Sequence, residues 1–243
     1  MAKEIFNRQE LKFIINLEQR KYLLAAASLY MQPDTYNSAG KKYRIYNLYI
    51  DTKDHALIRH SLTKPIFKEK IRIRSYEPLQ ASSLVFLEMK KRYKKITNKR
   101  RSKILYDEAL QFIQNGTPPA EHPYMNRQVV DEFTTRFQTE QYYPMTFITY
   151  DRLALVSREK ASDLRITFDT NLTTRRYGET TEKLLLAPDK IIMEVKSTEN
   201  IPLWLVEILG EIGVYKQSYS KYGQEYLGYL RDNNTKKRGE VYA

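Results

Sequence analysis

The chain has 243 residues, a formal net charge of +12 at neutral pH and no cysteine. This length can bury one large core, and the lack of cysteine excludes disulfides, thiolate metal sites and a cysteine nucleophile. The positive excess favours an acidic partner: a phosphate compound, a nucleic acid or an anionic surface. No window approaches the run of about 18 apolar residues that a membrane-spanning helix needs, and we expect a cytoplasmic protein.

Strands outnumber helices in the predicted order of elements. Segments rich in β-forming residues lie at 8–15, 43–51, 68–76, 83–92, 99–105, 142–156, 163–176 and 190–196. Helical spacing and capping residues predict helices at 17–31, 107–115, 123–139, 201–213 and 218–230, with a shorter one ending near 61. We expect a single domain over residues 1–231, followed by a polar flexible tail at 232–243.

The strand at 68–76 has an unusual division of its side chains. Alternate residues of a strand point to opposite faces, so one face carries isoleucines and the other carries four cations. These cations are Lys68, Lys70, Arg72 and Arg74. Neighbours on that face lie about 7 Å apart and repel by about 2.4 kcal/mol at an effective dielectric of 20. A row of this kind is unfavourable as a solvated basic face unless carboxylates of the fold or a polyanionic ligand lie opposite.

Other strands repeat this division into a charged face and an apolar face. Their charged residues include Glu10, Lys12, Glu88, Lys90, Arg165, Asp169, Glu194 and Lys196. Many strands with a few helices favour an α+β fold built on a closed antiparallel β-barrel. We expect the charged faces to line a tunnel through this barrel and the apolar faces to pack on peripheral helices.

The ordered set of motifs resembles the triphosphate tunnel (CYTH-like) fold and, within it, the VTC-type polyphosphate polymerase domain. The match spans about residues 5–230 and is carried by Arg8-x-Glu10-x-Lys12-Phe13, Tyr49-x-Asp51-Thr52, Lys68-x-Lys70-x-Arg72-x-Arg74, Glu88-x-Lys90, Tyr150-Asp151-Arg152, Leu164-Arg165-Ile166-x-Phe168-Asp169, Met193-Glu194-Val195-Lys196 and Ser220-Lys221-Tyr222-Gly223. Arg8 stands where some relatives carry the first of two glutamates. This departure favours the polymerase branch over the hydrolase and cyclase branches.

The resemblance implies that a linear triphosphate lies among cations that approach it from several strands. The implied phosphate-binding residues are Lys12, Lys70, Arg72, Arg74, Lys90, Arg152, Arg165, Lys196 and Lys221. Among them, the implied catalytic residues are Arg72, Arg74, Lys90, Arg152 and Arg165. Several of these cations share a face with a carboxylate, so ordinary cross-strand ion pairs are the alternative interpretation.

Glu194 is the first candidate ligand for Mn²⁺ or Mg²⁺, and Glu10 and Glu88 are further candidates. A salt bridge from Glu194 to a neighbouring lysine is the alternative. The basic cluster at 91–101 is interpreted as a solvated hairpin that could also guide anions. The tyrosines at 43–49, 142–150 and 215–229 are interpreted as core packing rather than base-stacking platforms.

These expectations describe a metal-dependent polyphosphate polymerase that transfers the γ-phosphate of ATP to a growing polyphosphate chain. Catalysis would depend on positioning and on neutralising phosphate charge. Two alternatives stay open: a triphosphatase of the same fold acting on inorganic triphosphate or nucleotides, and a non-catalytic module that binds polyphosphate. No signature of an RNA-binding module is present, so no nucleic acid is expected as a partner.

Overall fold

The structure is a computed structural model that describes residues 5–6, 9–35, 37, 42–94 and 96–241. Within these residues the strands are β1 (Ile5–Phe6), β2 (Gln9–Asn16), β3 (Met31–Pro33), β4 (Tyr43–Asp51), β5 (Phe67–Ser75), β6 (Leu84–Tyr93), β7 (Ile96–Leu105), β8 (Tyr143–Ser157), β9 (Arg165–Arg176), β10 (Lys183–Leu184) and β11 (Lys190–Ser197). The helices are α1 (Leu17–Ala26), α2 (Ala56–Leu62), α3 (Tyr106–Asn115), α4 (Arg127–Thr139), α5 (Leu203–Glu211) and α6 (Lys221–Val241). Arg8 lies outside the described residues.

Polar side chains set the ends of several helices. At the start of α1 the Asn16 side chain accepts a hydrogen bond from the Gln19 amide, and the Gln19 side chain accepts one from the Asn16 amide. The Asn126 side chain caps α4 by accepting a hydrogen bond from the Val129 amide. Gly116, at φ 70°, ends α3 in a left-handed conformation that glycine adopts without strain. No helix in the described ranges is sufficiently long and apolar to cross a membrane.

The strands form one antiparallel sheet that is not closed. Its order is β1-β7-β6-β5-β4-β8-β9-β11-β2, with β10 paired to β9 and β3 paired to β8. The edges are β1 and β2, and among the described residues no ladder joins them. The prediction of a closed β-barrel is therefore wrong. The fold is α+β.

The N-terminal segment pairs with both ends of the sheet. Ile5 and Phe6 pair with β7, whereas residues 9–16 pair with β11 at the other end of the sheet. The first strands of the chain thus form both edges of the sheet, and the pairing of β1 with β7 extends over only two residues. In the part of the chain that the structure describes, no ladder joins those two residues to β2.

The open sheet is nevertheless strongly rolled. In sheet order β6 and β2 lie six strands apart, which corresponds to about 29 Å on a flat sheet at about 4.8 Å per strand. Yet Lys90 Nζ on β6 lies 3.2 Å from Glu10 Oε2 on β2. The roll therefore brings both ends of the inner face around one trough.

Three apolar clusters pack the helices against the rolled sheet, two on its outer face and one on its inner face. One cluster joins α1 and α5 to β2, β9 and β11 and includes Phe13, Leu23 and Leu205. A second joins α3 and α4 to the strands β4–β7 and includes Phe133. A third lies at the inner side, where α2 and α6 cover one end of the trough, and includes Tyr222. The apolar faces thus pack on helices, and the charged faces are left to line the trough.

The fold predicts a large loss of stability when the outer core is truncated. Phe133 on α4 is fully buried, so we expect Phe133→Ala to lower the free energy of unfolding by about 3–5 kcal/mol through lost burial and a cavity. Thr135 on the exposed side of the same helix is the control, with an expected change within about 0.5 kcal/mol for Thr135→Ala. Urea denaturation measures both, and equal losses would contradict the assigned packing.

Candidate active site

Charged side chains from six strands and one helix meet in the trough. We call this set the charged face, and it comprises Glu10, Lys12, Lys70, Arg72, Arg74, Glu88, Lys90, Arg152, Arg165, Asp169, Glu194, Lys196 and Lys221. It contains all nine cations that the resemblance implies for phosphate binding, together with four carboxylates. This surplus of cations leaves the charged face with a net positive charge.

Glu88 lies at the centre of one group of cations. Its Oε2 is 2.8 Å from Arg72 Nη2, and its Oε1 is 2.5 Å from Lys99 Nζ. Arg74 Nε is more distant, at 4.0 Å. Burial acts to raise the pKa of Glu88, but Arg72, Arg74 and Lys99 together hold that pKa well below its ordinary value. Glu88 is thus a permanent anion that holds Arg72 in place.

Two buried arginines are held in fixed orientations. Arg74 donates from Nε to Asn47 Oδ1 at 3.0 Å and from Nη2 to the Tyr150 hydroxyl at 3.2 Å. Arg152 donates to both carboxylate oxygens of Asp169, at 2.7 and 2.8 Å. Because these guanidinium groups are already oriented, binding an anion costs little of their side-chain entropy.

Glu194 is the centre of a second group. Lys196, Lys12 and Lys221 place their Nζ atoms 3.1, 3.4 and 3.7 Å from its oxygens, and Arg152 is 3.9 Å away. Burial acts to raise the pKa of Glu194, but these four cations hold it well below the ordinary value. The carboxylate therefore stays ionised.

The segment before α6 contributes to the charged face from a distant part of the sequence. Lys12 Nζ donates to the Tyr219 carbonyl at 3.1 Å, and Lys221 Nζ lies 2.6 Å from Asp169 Oδ2. Lys70 Nζ donates to Ser220 Oγ at 2.7 Å. Among the described residues, Lys70 has no carboxylate within ion-pair distance.

Lys70 is the least neutralised cation of the charged face. Burial lowers its pKa, and repulsion from Lys12, Lys90, Lys68 and Arg72 lowers it further, to about 7. Its amine is therefore half-charged near neutrality. A bound polyanion would favour the charged form and restore the proton.

The geometry distinguishes the three predicted metal ligands. Glu10 and Glu194 both approach Lys12 Nζ, at 3.3 and 3.4 Å, so two carboxylates face one point. One or two carboxylates with phosphate oxygens are a set that Mg²⁺ accepts. Both oxygens of Glu88 instead face Arg72 and Lys99. In the described part of the chain, no three acidic, histidine or cysteine side chains gather into a complete metal site.

Arg165 pairs with a carboxylate that is not part of the charged face as defined above. Its Nη2 lies 2.6 Å from Asp34 Oδ2 in the segment after β3. Sequence reasoning assigned no role to Asp34 or Ser220, because contacts with loops leave no periodic signal. It also interpreted Lys99 as part of a solvated hairpin. The alternation of Lys99, Arg101 and Lys103 along β7 was a signal that could have placed Lys99 on the inner face.

Comparisons with known proteins agree with this fold. The sequence matches the VTC domain over residues 7–228, and the chain therefore belongs to the VTC domain family. No curated protein matches it significantly.

Two solved structures are similar to the chain at low sequence identity. One is a candidate adenylate cyclase from Bacillus halodurans, with a TM-score of 0.53, 15% identity and coverage of 90% of this chain and 96% of the other. The other is a candidate adenylyl cyclase from Hippeastrum, described as having a dominant triphosphatase activity, with a TM-score of 0.52, 19% identity and coverage of 90% and 95%. At these identities the likeness shows a shared fold.

The pKa of Lys70 predicts pH-dependent anion binding. In the free protein Lys70 loses its proton above about pH 7, whereas a bound anion keeps it charged, so binding takes up a proton. We expect the affinity for inorganic triphosphate to fall about tenfold between pH 6.5 and 8.5, relative to Lys70→Arg, which stays charged throughout. Titration calorimetry measures both proteins, and parallel pH profiles would contradict the assignment.

Proposed function

We propose that this chain is a divalent-metal-dependent phosphotransferase that binds ATP on the charged face and transfers its γ-phosphate to a growing polyphosphate chain. The observation that carries the proposal is the set of nine cations and four carboxylates on one enclosed face of a VTC domain. A linear polyphosphate supplies the missing negative charge, and the rolled sheet lets cations approach it from several sides.

Arg72, Arg74 and Arg152 have the properties that phosphoryl transfer requires. Their guanidinium groups are oriented by Glu88, Asn47 and Asp169 before any substrate binds. Preorganised positive groups stabilise the charge that develops on the transferred phosphoryl group without further reorganisation. Lys90 would add its charge from β6, and Arg165 from the start of β9.

The carboxylates of the charged face support a phosphate acceptor rather than water. Activating water requires a base with a pKa near the working pH. Burial acts to raise the pKa of Glu10, but Lys90, Lys196 and Lys12 lower it to about 2. The pKa values of Glu88, Asp169 and Glu194 are also below their ordinary ranges. None of these groups is a good base, whereas the end of a polyphosphate chain is already anionic.

Triphosphate hydrolysis is the second candidate function, and Lys70 is the observation that favours it. In the free protein Lys70, with a pKa of about 7, is partly a neutral amine; a bound triphosphate favours its charged form, so Lys70 would accept a proton from water only in complexes in which it stays neutral. The similar Hippeastrum protein is described as a triphosphatase, although the likeness extends only to the fold.

Glu194 and Glu10 are the residues that would hold Mn²⁺ or Mg²⁺, because both face the position that Lys12 Nζ takes between them. The bound ion would supply further positive charge to the phosphate oxygens. We leave Glu88 out of this set because, among the described residues, no second carboxylate shares the cations at its oxygens, Arg72, Arg74 and Lys99.

Incubation with ATP and Mn²⁺ separates the candidate functions. A polymerase makes long polyanions that are visible on a gel. A hydrolase releases phosphate alone, and a binding module binds ATP or polyphosphate without turnover. We expect long polyanions, and phosphate release without them would overturn the polymerase proposal.

Removing either strand-β5 arginine should abolish most turnover. We expect Arg72→Ala and Arg74→Ala each to lower turnover about 100-fold or more, as loss of one preorganised group does in other charged sites. Arg127→Ala is the control, because Arg127 is an exposed arginine on the outer helix α4. Circular dichroism checks that the fold is intact. Full activity in both β5 variants would refute their assignment.

Removing the charge of Glu194 should separate metal binding from phosphate binding. We expect Glu194→Gln to raise the Mn²⁺ concentration for half-maximal activity about tenfold or more, because one ligand is lost. Binding of triphosphate without metal should not weaken, because the charged face becomes more positive. Glu207→Gln, on the exposed side of α5, is the control. An unchanged Mn²⁺ titration would remove Glu194 from the metal site.

A further inference from the structure

Three aromatic side chains form a cluster where β5 ends. Tyr76 follows β5 directly and continues the alternation of Arg72 and Arg74, about 7 Å beyond Arg74. Its ring centroid lies 6.0 Å from that of Tyr43 and 6.2 Å from that of Phe86, which it meets at 80°. These contacts fix the plane of the Tyr76 ring.

The cluster is continuous with the charged face. In the sheet register Phe86 is the partner of Arg74, and Tyr43 is the partner of Arg152. Directly opposite residues on neighbouring strands have Cβ atoms about 4.5–5.5 Å apart. The aromatic rings therefore adjoin the two arginines that are proposed to bind phosphate.

Cations also border the cluster on its other side. The Arg101 guanidinium carbon lies 4.7 Å from the centroid of the Phe86 ring, and Lys103 Nζ lies 5.9 Å from it. Both are exposed residues of β7. A planar guanidinium beside aromatic rings is a further surface on which a flat ligand can stack.

Exposure distinguishes Tyr76 from the other tyrosines around the trough. Tyr76 is 45% exposed, whereas Tyr49, Tyr150 and Tyr222 are 6%, 2% and 2% exposed. The buried tyrosines pack where α6 covers the trough and have no room for a base. Tyr76 presents its ring to solvent at the far end of the same strand.

We infer that Tyr76 is a stacking platform for the base of a nucleoside triphosphate, with Tyr43 and Phe86 as positioning residues. This inference rests on the proposed function and deepens it, because it sets the direction of the nucleotide. The base lies on Tyr76, and the nearest phosphates lie at Arg74 and Arg152. The terminal phosphate points along β5, away from the cluster.

The inference is tested by comparing ATP, which carries a base, with inorganic triphosphate, which carries none. Calorimetry measures the binding of ATP and of inorganic triphosphate to wild type, Tyr76→Ala and Tyr76→Phe. Loss of base stacking on one aromatic residue corresponds to a decrease in affinity of about tenfold or more. We expect this decrease for ATP with Tyr76→Ala, unchanged binding of triphosphate, and near wild-type binding of both by Tyr76→Phe.

Tyr177→Ala is the matched control, because Tyr177 is 44% exposed and follows β9 at the other end of the strands. It should leave the binding of both anions unchanged. The stacking role of Tyr76 would be overturned if wild type and Tyr76→Ala bound ATP with equal affinity, or if Tyr76→Ala lost the same affinity for ATP and for triphosphate. Neither outcome would contradict the proposed phosphate site. Failure of wild type to bind either anion would overturn the proposed function together with this inference.

Discussion

Repulsion among cations on one enclosed face is the constraint on which this structure depends. Each carboxylate of the charged face offsets it by contacting more than one cation: Glu194 contacts four, and Glu88 contacts three. Asp169 joins Arg152 to Lys221, and Glu10 joins Lys12 to Lys90. Shared pairing of this kind keeps buried cations charged, whereas a buried ion without a partner costs several kcal/mol.

Even with this shared pairing, the charged face has fewer carboxylates than cations. Lys70 donates to a serine hydroxyl instead of a carboxylate, and burial together with repulsion from the neighbouring cations lowers its pKa. A ligand that supplies negative charge removes an existing repulsion as well as making new hydrogen bonds. Under the proposed function, the affinity of the charged face for a polyanion would therefore originate in the folded state itself, because the fold holds its cations closer than their carboxylates can neutralise.

Alternation along strands was sufficient to predict which cations share a face, because the period of two is a local property of the backbone. It predicted that Arg72 and Arg74 share one face of their strand and that Glu88 and Lys90 share one face of theirs, whereas the contact of Arg72 with Glu88 depends on the pairing of the two strands. Closure of the sheet depends on long-range pairing of its edges, and the two-residue strand β1 has no comparable sequence signal. The roles of Ser220 and Lys99 likewise depend on contacts between distant segments, which a single sequence does not encode in its periodicity.

Completion of the charged face requires the whole domain to fold, because the C-terminal helix supplies one of its cations. α6 is fastened by Tyr222, whose ring stacks on Tyr49 at 4.6 Å and whose hydroxyl donates to Asp51 at 3.0 Å. Asp51 also accepts hydrogen bonds from two backbone amides at the start of α2. One buried carboxylate therefore joins β4, α2 and α6. Lys221 directly precedes Tyr222, so loss of the Tyr222–Asp51 contact would also move the Lys221 ammonium away from Asp169 and Glu194. The stability of α6 is therefore coupled to the charge of the trough.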